Sequence, residues 1–313
     1  MGFKLAGFDV VGCVEIDKRM LDMYRANLAP KHPFLMPIQD FNKIPVEDLP
    51  ADVRAIDVLD GSPPCSVFSM AGNRAADWGK ERKFTEGQAV QTLDDLFFHF
   101  IETARRLQPR VVVAENVKGL VIGHARGYVK EIFKGFAKAG YRTRLFMLNA
   151  RNMGVPQSRT RVFFICERMD LKPLDLDMVF NEEDITPREA WAGLPEPTES
   201  LTVTGKKLVR YWHKTIPGHN FSEAAGMRDG DTGTTNFTNY RLSFNKTAPT
   251  VTSSGPFLHP SVCRRLSSQE FVRLQSFPED YRFTDKSAQY VCGMSVPPLM
   301  MQRIALRIAE KMR

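Results

Sequence analysis

Three short segments carry side chains whose types and spacing could do chemistry. The first is Gly61-Ser62-Pro63-Pro64-Cys65-Ser66, directly after the apolar run Ala55-Ile56-Asp57-Val58-Leu59. Two prolines stiffen this loop and fix the direction of the Cys65 thiol. The second is Ala114-Glu115-Asn116-Val117, after another apolar run, so the Glu115 carboxylate can face the same crevice as Cys65. The third is Gln157-Ser158-Arg159-Thr160-Arg161, leading into Val162 to Ile165. Strand alternation puts Arg159 and Arg161 on one face, an arrangement suited to clamping an anion. Each segment also has a purely structural reading. These are a buried cysteine in a turn, a capping or solvated acid, and a solvated basic edge.

The elements that must position these groups follow from the apolar pattern. Val10 to Val14 reads as a strand ending at Glu15 and Asp17, and Ala55 to Leu59, Val111 to Ala114, Arg142 to Leu148 and Val162 to Ile165 read as four more. Between them, Leu93, Leu96, Phe97, Ile101, Ala104 and Leu107 recur at helical spacing, as do Val129, Ile132, Phe133 and Phe136. Strands alternating with helices predict an α/β domain with a doubly wound, mostly parallel sheet covered on both faces. Ligands in such sheets bind at the carboxyl ends of the strands, where the Cys65 and Glu115 segments fall. Residues 167–263 break the pattern with repeated prolines and glycines, which predicts a smaller, irregular second domain with long loops. Helical periodicity resumes over Ser268 to Leu274 and Leu299 to Met312, so 1–166 and 264–313 are expected to form the larger domain.

Composition bounds the possibilities. The 313 residues carry 43 Lys+Arg against 36 Asp+Glu, a net charge of +7 that mildly favours a polyanionic partner. No window is apolar enough for a membrane span, and the first residues lack the pattern of a secretory signal, so a cytoplasmic location is expected. The five cysteines are odd in number and widely spaced, predicting neither a disulfide framework nor a CxxC zinc site.

Taken in order, these segments resemble the motifs of cytosine-C5 DNA methyltransferases. Pro64-Cys65 is similar to that family's Pro-Cys nucleophile motif, Glu115-Asn116-Val117 to Glu-Asn-Val, and Gln157 to Arg161 to Gln-x-Arg-x-Arg. Arg265 to Glu270 with Arg273 to Pro278 resembles the stretch after the target recognition domain, and Gly293-Met294-Ser295-Val296-Pro297 the last motif. The resemblance covers nearly the whole chain.

It implies a class I, Rossmann-like fold and methyl transfer from S-adenosylmethionine to C5 of a flipped-out cytosine in duplex DNA, with no metal. Cys65 would add to C6 of the base, Glu115 would engage its N3/N4 edge, Arg161 would contact the base carbonyl or a phosphate, and Arg159 would hold the loop and backbone. Glu15, Ile16, Asp40, Pro64 and Ser295 would hold the cofactor. Ser66, Arg74, Lys80, Arg82, Lys83 and Gln157 would meet DNA, and loops around Lys206 to Asn236 would read bases. Residues 167–263 become the target recognition domain. The expected partners are duplex DNA and, genetically, a cognate restriction endonuclease; a nucleoid-associated monomer is expected.

Three departures qualify the resemblance. Met294 stands where Asn is usual, and Ser66 where Gln often follows the cysteine. The family's first strand and its Phe-x-Gly-x-Gly-Gly turn have no counterpart before Gly7-Phe8, which implies an upstream start or a truncation, and weakened cofactor binding. Two rivals follow: a cytosine-5 transfer-RNA methyltransferase of the same superfamily, and a catalytically silent DNA-binding relic.

Overall fold

The computed structural model describes residues 1–63, 95–122, 126–198, 200–223, 239–284 and 287–312, with the backbone of 81–82 and 91–92. Pro64, Cys65, Ser66, Arg74, Lys80 and Lys83, the Arg82 side chain, and positions 224–236 of the expected base-reading region lie outside the described residues. The chain divides into two compact units, one comprising 6–148, 160–178 and 305–313, the other 1–5, 149–159 and 179–304.

In the first unit, β1 (Gly12–Glu15) and β2 (His32–Leu35) pair in parallel, Gly12 opposite His32, with helix α1 (Lys18–Leu28) as the crossover. Asp17 starts α1 because its carboxylate accepts the Arg19 N–H at 2.8 Å, satisfying one of the orphan donors of the first turn. A four-stranded sheet follows, from β3 (Val58–Gly61), β4 (Val111–Val117), β5 (Tyr141–Asn149) and β6 (Thr160–Arg168), in the order β3-β4-β6-β5. Val111 to Ala114 are buried on both faces of β4, as their unbroken apolar run requires. Helices α2 (Leu96–Leu107) and α3 (Arg126–Lys138) contribute to this core. Phe97 lies at its centre, edge-on to Tyr128, Phe136 and Phe164.

The expected α/β class holds, and two details are added to it here. The sheet is mixed: β3 and β4 run parallel, but β6 returns antiparallel to β4. Apolar periodicity reports which face a side chain takes and carries no information on strand direction. The strand expected to stop at Ala114 continues to Val117, so Glu115 and Asn116 lie within β4.

In the second unit, helix α4 (Lys206–Lys214) packs Leu208, Val209, Tyr211 and Trp212 into a small core with Val203, Phe221 and Leu258. Beside it three two-residue strands, β7 (His219–Asn220), β8 (Tyr240–Arg241) and β9 (Phe257–Leu258), pair in the order β9-β8-β7. Lys206 to Lys214, expected among loops, is therefore helical. Such short strands reflect the density of Pro and Gly, which withhold ladder donors and fixed dihedrals. Helices α5 (Ser268–Leu274) and α6 (Ala288–Met294) follow, α5 opened by a reciprocal capping box between Ser267 and Glu270, and α7 (Pro298–Met312) begins here, its residues from 305 on counting with the first unit.

Candidate active site

Glu115 and Arg161 meet across the antiparallel β4–β6 pair. The register sets Glu115 opposite Phe163 and Val117 opposite Arg161, so Glu115 and Arg161 are diagonal neighbours on one face. Arg161 Nε lies 3.0 Å from Glu115 Oε1, and its Nη1 donates to the Thr160 carbonyl at 2.9 Å. Burial pulls the Arg161 guanidinium below its ordinary value, while the Glu115 charge pulls it back up. An arginine stays protonated in either case. The result is a sheltered carboxylate–guanidinium pair at the carboxyl end of β4.

Asn116 links this pair to the expected nucleophile loop. Its Nδ2 donates to the Pro63 carbonyl at 3.0 Å, and its Oδ1 accepts the Val117 N–H at 2.9 Å. Only Pro64 separates Pro63 from Cys65 in the sequence. Just before it, Gly61 lies against Phe100, and a Cβ there would overlap the ring, so glycine is what lets β3 pass close to α2. The entry to the Cys65 segment is thus pinned beside Glu115.

A further acid emerges that the motifs do not include. Asp60 on β3 feels the Glu115 charge; desolvation by the surrounding chain and, to a lesser extent, that repulsion push its carboxyl up to about 6, although the side chain keeps open surface. Its position one residue before the Gly61-Ser62-Pro63 turn was the available signal.

The expected cofactor residues are less uniform. Glu15 closes β1, accepts the Asp17 N–H at 2.8 Å, and has its carboxyl raised chiefly by burial, against the pull of backbone hydrogen bonds. Ile16 beside it is half-buried. Asp40 is exposed and salt-bridged to Lys43 at 2.7 Å. Ser295 spends its hydroxyl on the Val291 carbonyl at 2.7 Å, ending α6.

Gln157 and Arg159 are not free to act as an exposed contact or as half of an anion clamp. Gln157 is fully buried; its Oε1 accepts the Val251 N–H at 2.9 Å, and its Nε2 bonds Gln275 and the Leu274 carbonyl. Arg159, 1% exposed, donates to the carbonyls of Val251 at 2.9 Å and Gly293 at 2.8 Å. Arg159 thus bonds neutral backbone carbonyls, whereas Arg161 faces a carboxylate.

The remaining cysteines contrast with the role expected of Cys65. Burial raises all four described thiols, Cys13 to about 11 and Cys292 to about 12, with Cys166 and Cys263 also shifted upward. A thiol held protonated is a poor nucleophile.

The architecture and this site define the class first. The fold matches a structure described as a putative DNA modification methyltransferase encoded within a prophage of E. coli, with a TM-score of 0.69 over 99% of this chain and 95% of that one, at 21% identity. It also matches the S. pombe Dnmt2 methyltransferase, with a TM-score of 0.64 over 99% and 94%, at 15% identity. This is the fold of a class I methyltransferase. Residues 1–310 match the family model described as C-5 cytosine-specific DNA methylase, and the chain belongs to that family of DNA cytosine-5-methyltransferases. Among its relatives are the type II methyltransferases M1.HphI of Haemophilus parahaemolyticus, 29% identical over 97% of this chain and 82% of that one, and M.DdeI of Desulfomicrobium norvegicum, 29% identical over 98% and 85%. Family membership implies S-adenosylmethionine as methyl donor and DNA as substrate. Among the described residues, no helix is long and apolar enough to cross a membrane.

Proposed function

We propose that this protein methylates C5 of a flipped-out cytosine within a specific duplex DNA sequence, through a covalent bond between Cys65 and C6 of the base. The observation that carries this reading is the Asn116–Pro63 hydrogen bond, which tethers the approach to Cys65 beside the Glu115–Arg161 pair. The Cys65 thiolate adds to C6, and its electron pair moves through the ring to make C5 nucleophilic. Glu115 hydrogen-bonds the N3/N4 edge, relieving charge that builds on the ring and favouring cytosine over thymine. Arg161, already turned toward Glu115, holds that carboxylate and contacts the base carbonyl or an adjacent phosphate. After C5 accepts the methyl group it loses its proton, and the returning electron pair expels Cys65.

S-adenosylmethionine supplies the methyl group. The partly buried Glu15 carboxyl at the end of β1 fits a ribose diol, and half-buried Ile16 beside it fits an apolar ring face. Asp40, Pro64 and Ser295 complete the proposed set, with Asp40 having to exchange its Lys43 partner. Ser66, Arg74, Lys80, Arg82 and Lys83 are proposed DNA contacts, and Arg159 and Gln157 are proposed to act from within the protein. Residues 1–166 with 264–313 would form the catalytic domain and 167–263 the recognition domain, in a monomer paired genetically with a restriction endonuclease. The type II names of the relatives support that pairing.

The test is a covalent trap. Duplex DNA from a randomised pool carrying 5-fluorocytosine should form a stable adduct with the protein when S-adenosylmethionine is present, and Cys65→Ser should form none. An adduct that survives Cys65→Ser overturns the nucleophile. Methyl incorporation into transfer RNA but not into duplex DNA overturns the substrate.

A further inference from the structure

Asp60, Glu115 and Arg161 share one face of the four-stranded sheet. Asp60 stands opposite Val113 in the parallel β3–β4 pair, so its side chain takes the face of Val113 and, two residues on, of Glu115. Arg161 takes the same face through its register with Val117. The alternate residues Leu59, Val112, Ala114, Val162 and Phe164 pack with α2 and α3 on the other side. The three charged groups therefore stand on adjacent strands, at the edge where the chain leaves β3 for the Cys65 segment.

Their charges do not balance. Arg161 is committed to Glu115, 3.0 Å away, and to the Thr160 carbonyl. Among the described residues, no hydrogen bond or salt bridge reaches the Asp60 carboxylate, and the residue is exposed. Desolvation raises this carboxyl to about 6, with the Glu115 charge adding to the rise and the amino-terminal ammonium opposing it only in part. At neutral pH Asp60 is still mostly ionised, so two carboxylates share this edge with one guanidinium.

A cationic ligand group would relieve that imbalance. A DNA phosphate would be repelled there, and the edge of the base is served by Glu115. The cofactor that family membership implies carries two positive groups, a sulfonium and the α-ammonium of its methionine part. An ammonium offers N–H donors to a carboxylate, whereas a sulfonium offers none. A short carbon chain joins the α-ammonium to the reacting sulfur. The ammonium must therefore stay close to the base that Glu115 engages, and Asp60 is the acid next to Glu115.

We propose that Asp60 binds the α-ammonium of the cofactor's methionine part, so that the strand before the nucleophile loop supplies a cofactor-binding acid. This rests on the methyltransferase reading above.

Titration calorimetry on the full-length protein near neutral pH tests it, comparing S-adenosylhomocysteine with its analogue lacking the α-amino group. Wild type should prefer S-adenosylhomocysteine by about 10–150-fold, the range for a hydrogen bond between charged groups. Asp60→Asn should bind S-adenosylhomocysteine more weakly by about that factor and bind the analogue as wild type does, so the preference disappears. Unchanged binding of the analogue also reports an intact fold. Asp40→Asn, which removes an exposed acid paired with Lys43, should keep the preference. Equal affinity of wild type for the two ligands overturns the proposal, as does a preference that survives Asp60→Asn. A loss in Asp60→Asn seen with S-adenosylmethionine and absent with S-adenosylhomocysteine assigns Asp60 to the sulfonium and overturns the choice of group. Wild type that binds S-adenosylhomocysteine but forms no Cys65 adduct overturns the functional reading alone. Wild type that forms the adduct but binds neither ligand overturns the role of Asp60 alone.

Discussion

Arg159 and Arg161 are two residues apart in one motif, and the structure uses them in different ways. Arg159 is enclosed and bonds two neutral carbonyls, Val251 and Gly293. Arg161 lies across a strand pair from a carboxylate, Glu115. Beside Arg159, Gln157 meets Gln275, and Gln275 meets the Ser295 carbonyl at 2.8 Å. Around Arg161 the partners are the Glu115 carboxylate and the Thr160 carbonyl. Burial of a polar side chain is thus no guide to its role; what matters is whether its partners are themselves free to react.

Substitutions should separate the two regions. The largest effect is expected from Glu115→Gln, which should cut the rate of methyl transfer by ~10²–10⁴-fold, the range for loss of a general acid, measured by tritiated methyl incorporation. Little change in melting temperature should accompany it, because the amide oxygen can still accept from Arg161. Arg159→Met should act in the opposite sense, costing about 2–5 kcal/mol in denaturant unfolding by leaving two buried carbonyls without a donor. A purely kinetic defect there would break the contrast.

Gly293→Ala sharpens it, because a Cβ would overlap the backbone of Thr252 and Ser253. Overpacking of that kind costs about 1–3 kcal/mol, readable in the same unfolding experiment. Asn116→Ala removes the tether to Pro63 and should lower stability by about 1 kcal/mol, while slowing formation of the 5-fluorocytosine adduct by a larger factor. Equal losses in both would reduce Asn116 to packing. The smallest effect is a pH dependence at Asp60. Its carboxyl is raised in the folded state, so folding loses stability as pH climbs from about 4 through about 6. Asp60→Asn should therefore melt higher than wild type above pH 6 and like it below pH 4.

Parts of both units were readable in advance. Val111 is where β4 starts, and α5 spans Ser268–Leu274 as expected, since its capping box and apolar spacing are both local signals. The far end of β4 was not readable, because Glu115 and Asn116 look like the end of a buried run. They remain in the strand because Arg161 and the Pro63 carbonyl, distant in sequence, compensate their burial. The antiparallel return of β6 was hidden for a related reason: alternation of side chains is the same in either direction.

The order and identity of its motifs alone were enough to assign this chain to its family, because reaction chemistry restricts which side chains can stand at each step. Which of two arginines faces the acid, which glutamine disappears into the interior and which helix turns Lys206, Lys207, Arg210 and His213 outward were decided by tertiary structure. Those outcomes depend on partners brought together from distant segments, and no local pattern encodes the distance between them.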